Sequence, residues 1–267
     1  MAGYIGKIDS TELENRPDLQ PVSYVGKSGV EQSYDEILRG RAGADIIEVD
    51  SLGRAIRTVG SKPSTPGSSL ILGLDASLQK VTAAALQEAI GRSGARNGAA
   101  VALDVNSGDV MAMVSLPTFD NNLFSPLGDS AARNALLQDP ASPLLNRVIA
   151  CQYPAGSTVK PFVATAGLSE NVINASTKVD TSAGKIEIGE WVLHDWKTHG
   201  VADVRQAIAE SNNIFFYGVG GGYKQISGLG AERLARWLER FGFGSRSGID
   251  IGGEQNGLVP TPSWKEK

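Results

Sequence analysis

Two apolar runs, residues 99–104 and 110–114, are separated only by Val105-Asn106-Ser107-Gly108-Asp109. This spacing constrains the fold more than any other feature. A parallel crossover needs about a dozen residues or more, so the runs form an antiparallel hairpin turning at Ser107-Gly108. Helical patterns surround it. Asp75 stands as N-cap before Leu78, Val81, Ala85, Leu86 and Ala89, which predicts a helix from Ser77 to about Ile90 closed by Gly91 and Gly94. Further helices are expected over 157–168, 204–216 and 231–241, another over 31–39 stopped by Gly40, and a strand over 70–74. Residues 45–49 and 54–59 alternate around Ser51-Leu52-Gly53 and predict a second hairpin, whereas 115–147 reads as loop-rich. Helices interleaved with antiparallel hairpins give an α+β architecture rather than a wound parallel sheet.

The sharpest change in composition is Ser61-Lys62-Pro63-Ser64-Thr65-Pro66-Gly67-Ser68-Ser69. It reads as a linker, with a domain boundary near residue 66 that separates 1–66 from 67–267. A net charge of −4 excludes a strongly basic nucleic-acid binder, and 41% hydrophobic with 20% charged residues excludes a disordered chain. The single cysteine, Cys151, excludes a disulfide framework and a cysteine-based zinc cluster. No apolar run approaches the roughly 18–20 residues of a membrane helix. Met1 leads into a polar segment rather than a signal peptide.

Nucleophilic catalysis by serine needs a base beside the hydroxyl. The two histidines, His194 and His199, lie close together, and no Gly-x-Ser-x-Gly elbow accompanies them. The other solution is Ser-x-x-Lys on one helix, whose ends share a face. With 25 Ser and 11 Lys, chance supplies about one such match, so spacing alone does not decide. Three occur: Ser77/Lys80, Ser157/Lys160 and Ser182/Lys185. The first opens a capped surface helix and the last sits in a turn. Ser157/Lys160 differs because Pro161 is tolerated only near a helix's first turn, which puts Ser157 at a helix N-terminus. There the helix dipole favours developing negative charge. The dipole and desolvation together lower the pKa of the Lys160 amine, so that it can act as a base.

Tyr153-Pro154-Ala155-Gly156-Ser157-Thr158-Val159-Lys160-Pro161 resembles the active-site serine motif of penicillin-binding proteins. The pair of runs from Ala100 to Asp104 and from Ser107 to Ser115 resembles the strands that precede it in that family. Asn146-Arg147 and Glu210-Ser211-Asn212-Asn213-Ile214-Phe215-Phe216-Tyr217 fit the same order. Gly26-Lys27-Ser28-Gly29-Val30-Glu31, with Tyr34 and Leu38-Arg39-Gly40, is similar to the segment that joins pedestal to catalytic domain in class B members, and the elongation subtype is the nearest likeness.

That resemblance implies a β-lactamase/transpeptidase-like domain over 67–267, preceded by the end of a non-catalytic pedestal (dimerisation) domain over 1–66. It implies a D,D-transpeptidase in which Ser157 is the nucleophile, Lys160 its base and Ser211 a proton relay, with Asn213 binding substrate. It implies no cofactor. The expected partners are peptidoglycan stem peptides, β-lactams and a membrane glycosyltransferase of the elongation machinery, with no nucleic acid. The expected location is the cytoplasmic membrane, with the catalytic domain on its outer face. The family's Lys-Thr-Gly strand has no counterpart after Ser211, since the near match Lys197-Thr198-His199-Gly200 precedes it. The chain therefore reads as truncated at both ends and poorly active by itself. A D,D-carboxypeptidase, a serine β-lactamase-like hydrolase and an inactive structural remnant are the alternatives. Some relatives hold zinc in this region, so Asp180, Asp195 and His199, with His194 beside them, pose a metal question. Solvated loop histidines are the expected answer, and Phe215, Phe216 and Tyr217 are expected in the core.

Overall fold

Strands Gly98–Leu103 and Val110–Leu116 pair antiparallel, Gly98 opposite Leu116, with an irregularity between Ala102 and Leu103. In this computed structural model, which describes residues 1–266, the hairpin belongs to the first of two compact units. That unit comprises residues 1–151 with 249–254; the second comprises 152–248 with the segment from Gln255 onward. The helix Ala76–Ser93 is latched onto the hairpin through Gln79, whose Oε1 accepts from Met113 N (2.8 Å) and whose Nε2 donates to Met113 O (2.9 Å). Ala112, Met113, Val114 and Leu116 are buried.

Asp75 caps the helix as expected, accepting from Ser77 N and Leu78 N, both at 2.8 Å. Gly91 does not end it. The helix runs on to Ser93 and stops at Gly94, whose φ of +68° a side chain would resist. The strand expected over 70–74 is absent: Ile71 is fully exposed, and Asp75 N to Met111 O (2.9 Å) makes the junction instead. The helix expected over 31–39 divides into Gly29–Ser33 and Asp35–Leu38 at Tyr34, whose φ and ψ of −117° and 20° lie outside the helical region. Just past the break, the buried Asp35 carboxylate accepts from Gly26 N (2.8 Å) and pairs with Arg16 and Arg39.

The second hairpin forms from Ala44–Val49 and Ala55–Lys62, so its outgoing strand takes up the first residues of the linker. The stretch 115–147 also carries more order than its composition suggests, with the helix Ser130–Leu137 capped by Asp129. Arg147 is buried and donates to the main-chain oxygens of Ala141, Ser142 and Leu145, which folds this segment back on itself.

In the second unit the helix Lys160–Ser169 packs against Asn213–Gly221. Val163, Ala166, Ile173, Val204, Ala207, Phe215, Phe216 and Val219 form its core, while Tyr217 is only partly buried. The helix expected over 204–216 is two helices, Val204–Ala209 and Asn213–Gly221, separated by a break at Ser211. Ala231–Arg240 follows its predicted span.

Gly167 sets how closely the two central helices approach, since a Cβ there would lie 2.7 Å from Val219 Cγ1 and 3.2 Å from Ile173 Cγ1. Both neighbours are β-branched and stiff. Gly167→Ala is expected to lower stability by about 1–3 kcal/mol, an overpacking cost that exceeds the helix-propensity gain of roughly 1 kcal/mol. Urea denaturation of the two proteins measures it, and an unchanged midpoint would contradict the close approach.

Candidate active site

The segment Gly156–Val159 is a 3-10 turn entered through Gly156 at φ +55°, and it runs directly into the helix Lys160–Ser169 with Pro161 in the first turn. Proline suits this position because its absent N–H would have no partner there. The turn leaves Ser157 exposed and carries Lys160 inward, where it is 7% exposed.

Ser211 comes from the other side. Its φ of +56° is left-handed, a conformation that costs a non-glycine residue on the order of 1 kcal/mol or more. Asn212 then starts the next helix: it is fully buried, its Oδ1 accepts from Phe215 N (2.9 Å), and its Nδ2 donates to Thr181 Oγ1 (2.8 Å). Thr181 Oγ1 in turn donates to Gly200 O at 2.8 Å. The helix break is thus held by side chains from outside the helices.

Lys160 Nζ donates to Ser211 O (2.7 Å), Ser211 Oγ (3.0 Å) and Asn213 Oδ1 (2.6 Å). These acceptors match the three donors of an ammonium group. Ser211 Oγ donates onward to Ser157 Oγ at 2.9 Å. Lys160 therefore reaches Ser157 through the Ser211 hydroxyl. Burial pushes the Lys160 amine below the usual lysine range, and the Asp195 carboxylate opposes that shift without cancelling it. The structure thus brings Ser157, Lys160, Ser211 and Asn213 into one connected group.

The remaining candidates fall elsewhere. Lys185 pairs with Glu187 (2.7 Å) and Ser182 Oγ donates to Asp180 (2.6 Å), so these two do not form a serine–lysine couple. Asp180 and His194 are exposed. His199 is not a solvated loop residue: it is 4% exposed, its Nδ1 lies 2.7 Å from Glu210 Oε2, and its Nε2 is 3.7 Å from Asp195 Oδ2. That contact holds the Glu210 carboxyl below the usual range. Among the described residues, no three His, Cys, Asp or Glu side chains gather as a metal-holding group.

Sequence reasoning considered Asp195 only as a metal ligand. Its buried Oδ2 instead accepts from Asn213 N (2.8 Å) and Ile214 N (3.1 Å), tying down the helix that carries Asn213. Trp196, not singled out from the sequence, donates from Nε1 to Ser211 O at 3.2 Å. Both partners lie well downstream, beyond the reach of any capping or helical spacing rule.

The exposed Ser157, the buried Lys160 and the facing Ser211-x-Asn213 turn all lie within a domain that this chain shares with known proteins. Residues 98–267 match the family model for the penicillin-binding protein transpeptidase domain, and residues 1–72 match that for the penicillin-binding protein dimerisation domain. The chain belongs to the penicillin-binding protein transpeptidase family. Within it, the likeness is to the MrdA (penicillin-binding protein 2, PBP2) branch. The chain is 38% identical to the peptidoglycan D,D-transpeptidase MrdA of Haemophilus influenzae, over 99% of this chain and 40% of that protein. It is 36% identical to MrdA of Escherichia coli K12, over 99% of this chain and 41% of that protein. Among solved structures it superimposes on PBP2 from the Helicobacter pylori PBP2–MreC complex with a TM-score of 0.80 at 31% identity, covering 99% of this chain and 47% of that one. Pseudomonas aeruginosa PBP2 in complex with WCK 5153 gives 0.73 at 32%, over 98% and 52%. The chain spans about two fifths of the length of the curated relatives it matches.

Asn212→Ala removes a helix cap and the partner of Thr181. Stability is expected to fall by about 2 kcal/mol, as for a lost cap together with a buried hydrogen bond. Chemical denaturation monitored by far-UV circular dichroism tests this, and a loss below about 0.5 kcal/mol would show that the cap contributes little.

Proposed function

We propose that this chain carries the acylation centre of a peptidoglycan D,D-transpeptidase of the elongation type, with residues 1–66 ending a pedestal domain and 67–267 beginning the catalytic domain. The hydrogen-bonded run from Lys160 through Ser211 to Ser157 carries this reading. The dimerisation-domain match over residues 1–72 supports it over a free-standing hydrolase.

The geometry suits acyl transfer. With Lys160 neutral, Ser157 Oγ attacks the carbonyl between the terminal D-alanines of a stem peptide. Its proton passes to Ser211 Oγ as the Ser211 proton passes to Lys160 Nζ. Both hydroxyls thereby reverse the direction of the hydrogen bond seen in the resting state. The main-chain N–H of Ser157 serves as an oxyanion donor, and Asn213 binds the substrate's amide edge while holding the lysine. Collapse of the tetrahedral intermediate expels D-alanine, whose amine takes the proton from Lys160 by the same route. The amine of a neighbouring stem peptide then attacks the acyl-enzyme, forms the cross-link and returns the proton to Ser157. β-Lactams acylate the same hydroxyl.

Work of this kind belongs at the outer face of the cytoplasmic membrane, beside a glycosyltransferase that supplies the strands. A relative at 32% identity comes from a peptidoglycan synthase complex that coordinates polymerization and crosslinking. None of the described helices is long and apolar enough to cross a membrane.

In the full-length protein carrying this sequence, a fluorescent penicillin is expected to label the chain covalently, and Ser157→Ala to abolish labelling. Label that persists in Ser157→Ala would remove Ser157 as nucleophile. The acylation rate is expected to rise with pH, because the base is the deprotonated amine. The midpoint of that rise should fall below the usual lysine range, since burial favours loss of the proton. A rate independent of pH between 5 and about 9 would argue against an amine base.

A further inference from the structure

The groups that hold the Ser211 break converge from one short segment, residues 195–200. Asp195 ties Asn213 and Ile214, Lys197 and His199 reach Glu210, and Gly200 O anchors Thr181 behind Asn212. Trp196 stands apart in this segment. It is 63% exposed, so core packing does not account for it, yet its ring is fixed on two sides. The His199 ring meets it edge-on at 5.9 Å, and Lys197 Nζ lies 5.0 Å from its centroid. So held, its Nε1–H donates to Ser211 O, the same oxygen that takes Lys160 Nζ.

A carbonyl oxygen has two lone pairs, and here one serves the lysine and the other the indole. The consequence appears when Lys160 loses its proton. The amine keeps two donors and gains a lone pair, which must face Ser211 Oγ to receive the relayed proton. Its donors then go to Ser211 O and Asn213 Oδ1, so the direction of the Ser211 carbonyl decides where the lone pair points. That carbonyl belongs to a residue in a left-handed conformation, which persists only where the surroundings determine it.

We propose that Trp196 is a positioning residue for acylation: its indole N–H fixes the Ser211 carbonyl, and through it the Lys160 amine, in line with the Ser211 and Ser157 hydroxyls. The proposal rests on the acyl-transfer reading for its kinetic consequence but not for the hydrogen bond itself.

Trp196→Phe keeps an aromatic ring at the site and removes the N–H. In the full-length protein, the dependence of acylation on penicillin concentration separates initial binding from the acylation step. The acylation rate constant is expected to fall about tenfold, the kinetic equivalent of one hydrogen bond, with initial binding and the thermal midpoint unchanged. An unchanged acylation constant would overturn the proposal. So would a loss confined to initial binding, which would make the ring a substrate wall instead. A second measurement needs neither the variant nor activity. In the unaltered protein labelled with 15N, the Trp196 indole N–H is expected to exchange with solvent at least about tenfold more slowly than that of Trp191, which is 75% exposed. Equal exchange would refute the hydrogen bond. Labelling that survives Ser157→Ala would instead overturn the acyl-transfer reading and leave the exchange result standing.

Discussion

A buried lysine amine in need of acceptors is the constraint around which the second unit is built. Lys160 enters from the first turn of its helix with little solvent, and an ammonium so placed is costly unless its donors are matched. A continuous helix over 204–216 would have kept its own carbonyls in helical bonds. Breaking it at Ser211 frees one carbonyl, turns a hydroxyl toward Ser157 and places Asn213 Oδ1 at the amine. The left-handed residue is the local cost, and the satisfied amine offsets it.

The rest of the unit holds these two helices in register. Gly167 lets Lys160–Ser169 lie close against Asn213–Gly221, and Phe215, Val219 and Val163 fill the contact, so Lys160 and Asn213 meet near the ends of packed, rigid elements. Behind the break, Asn212 bonded to Thr181, and Asp195 bonded to the Asn213 and Ile214 amides, form a buried polar layer. Buried polar groups that are bonded to one another define one arrangement more sharply than apolar packing alone. This layer also keeps the Asp195 charge close enough to act on Lys160, where it works against desolvation.

Much of this was legible in order and chemistry. Pro161 confined Ser157 to a helix start, and Asp75, the Ser107-Gly108 turn and the Ser51-Leu52-Gly53 turn each placed their element. Where the reading failed, a local pattern met a long-range partner. Apolar residues continued through 204–216, so periodicity gave one helix, but the acceptor needs of Lys160 divided it. Residues 70–74 had strand composition and no strand beside them. His199 looked solvated because its carboxylate partner, Glu210, lies 11 residues on.

By itself the sequence determined the α+β class and put Ser157 and Lys160 together at one helix start, because those follow from turns too short for a crossover and from spacing within one helix turn. Tertiary structure alone decided that Lys160 reaches Ser157 through Ser211, that Asp195 serves the Asn213 helix, and that Trp196 shares an oxygen with the lysine. Each of these joins atoms from segments well apart in the chain. Their geometry depends on how closely two helices approach and on which carbonyl is left free, quantities that no local pattern contains.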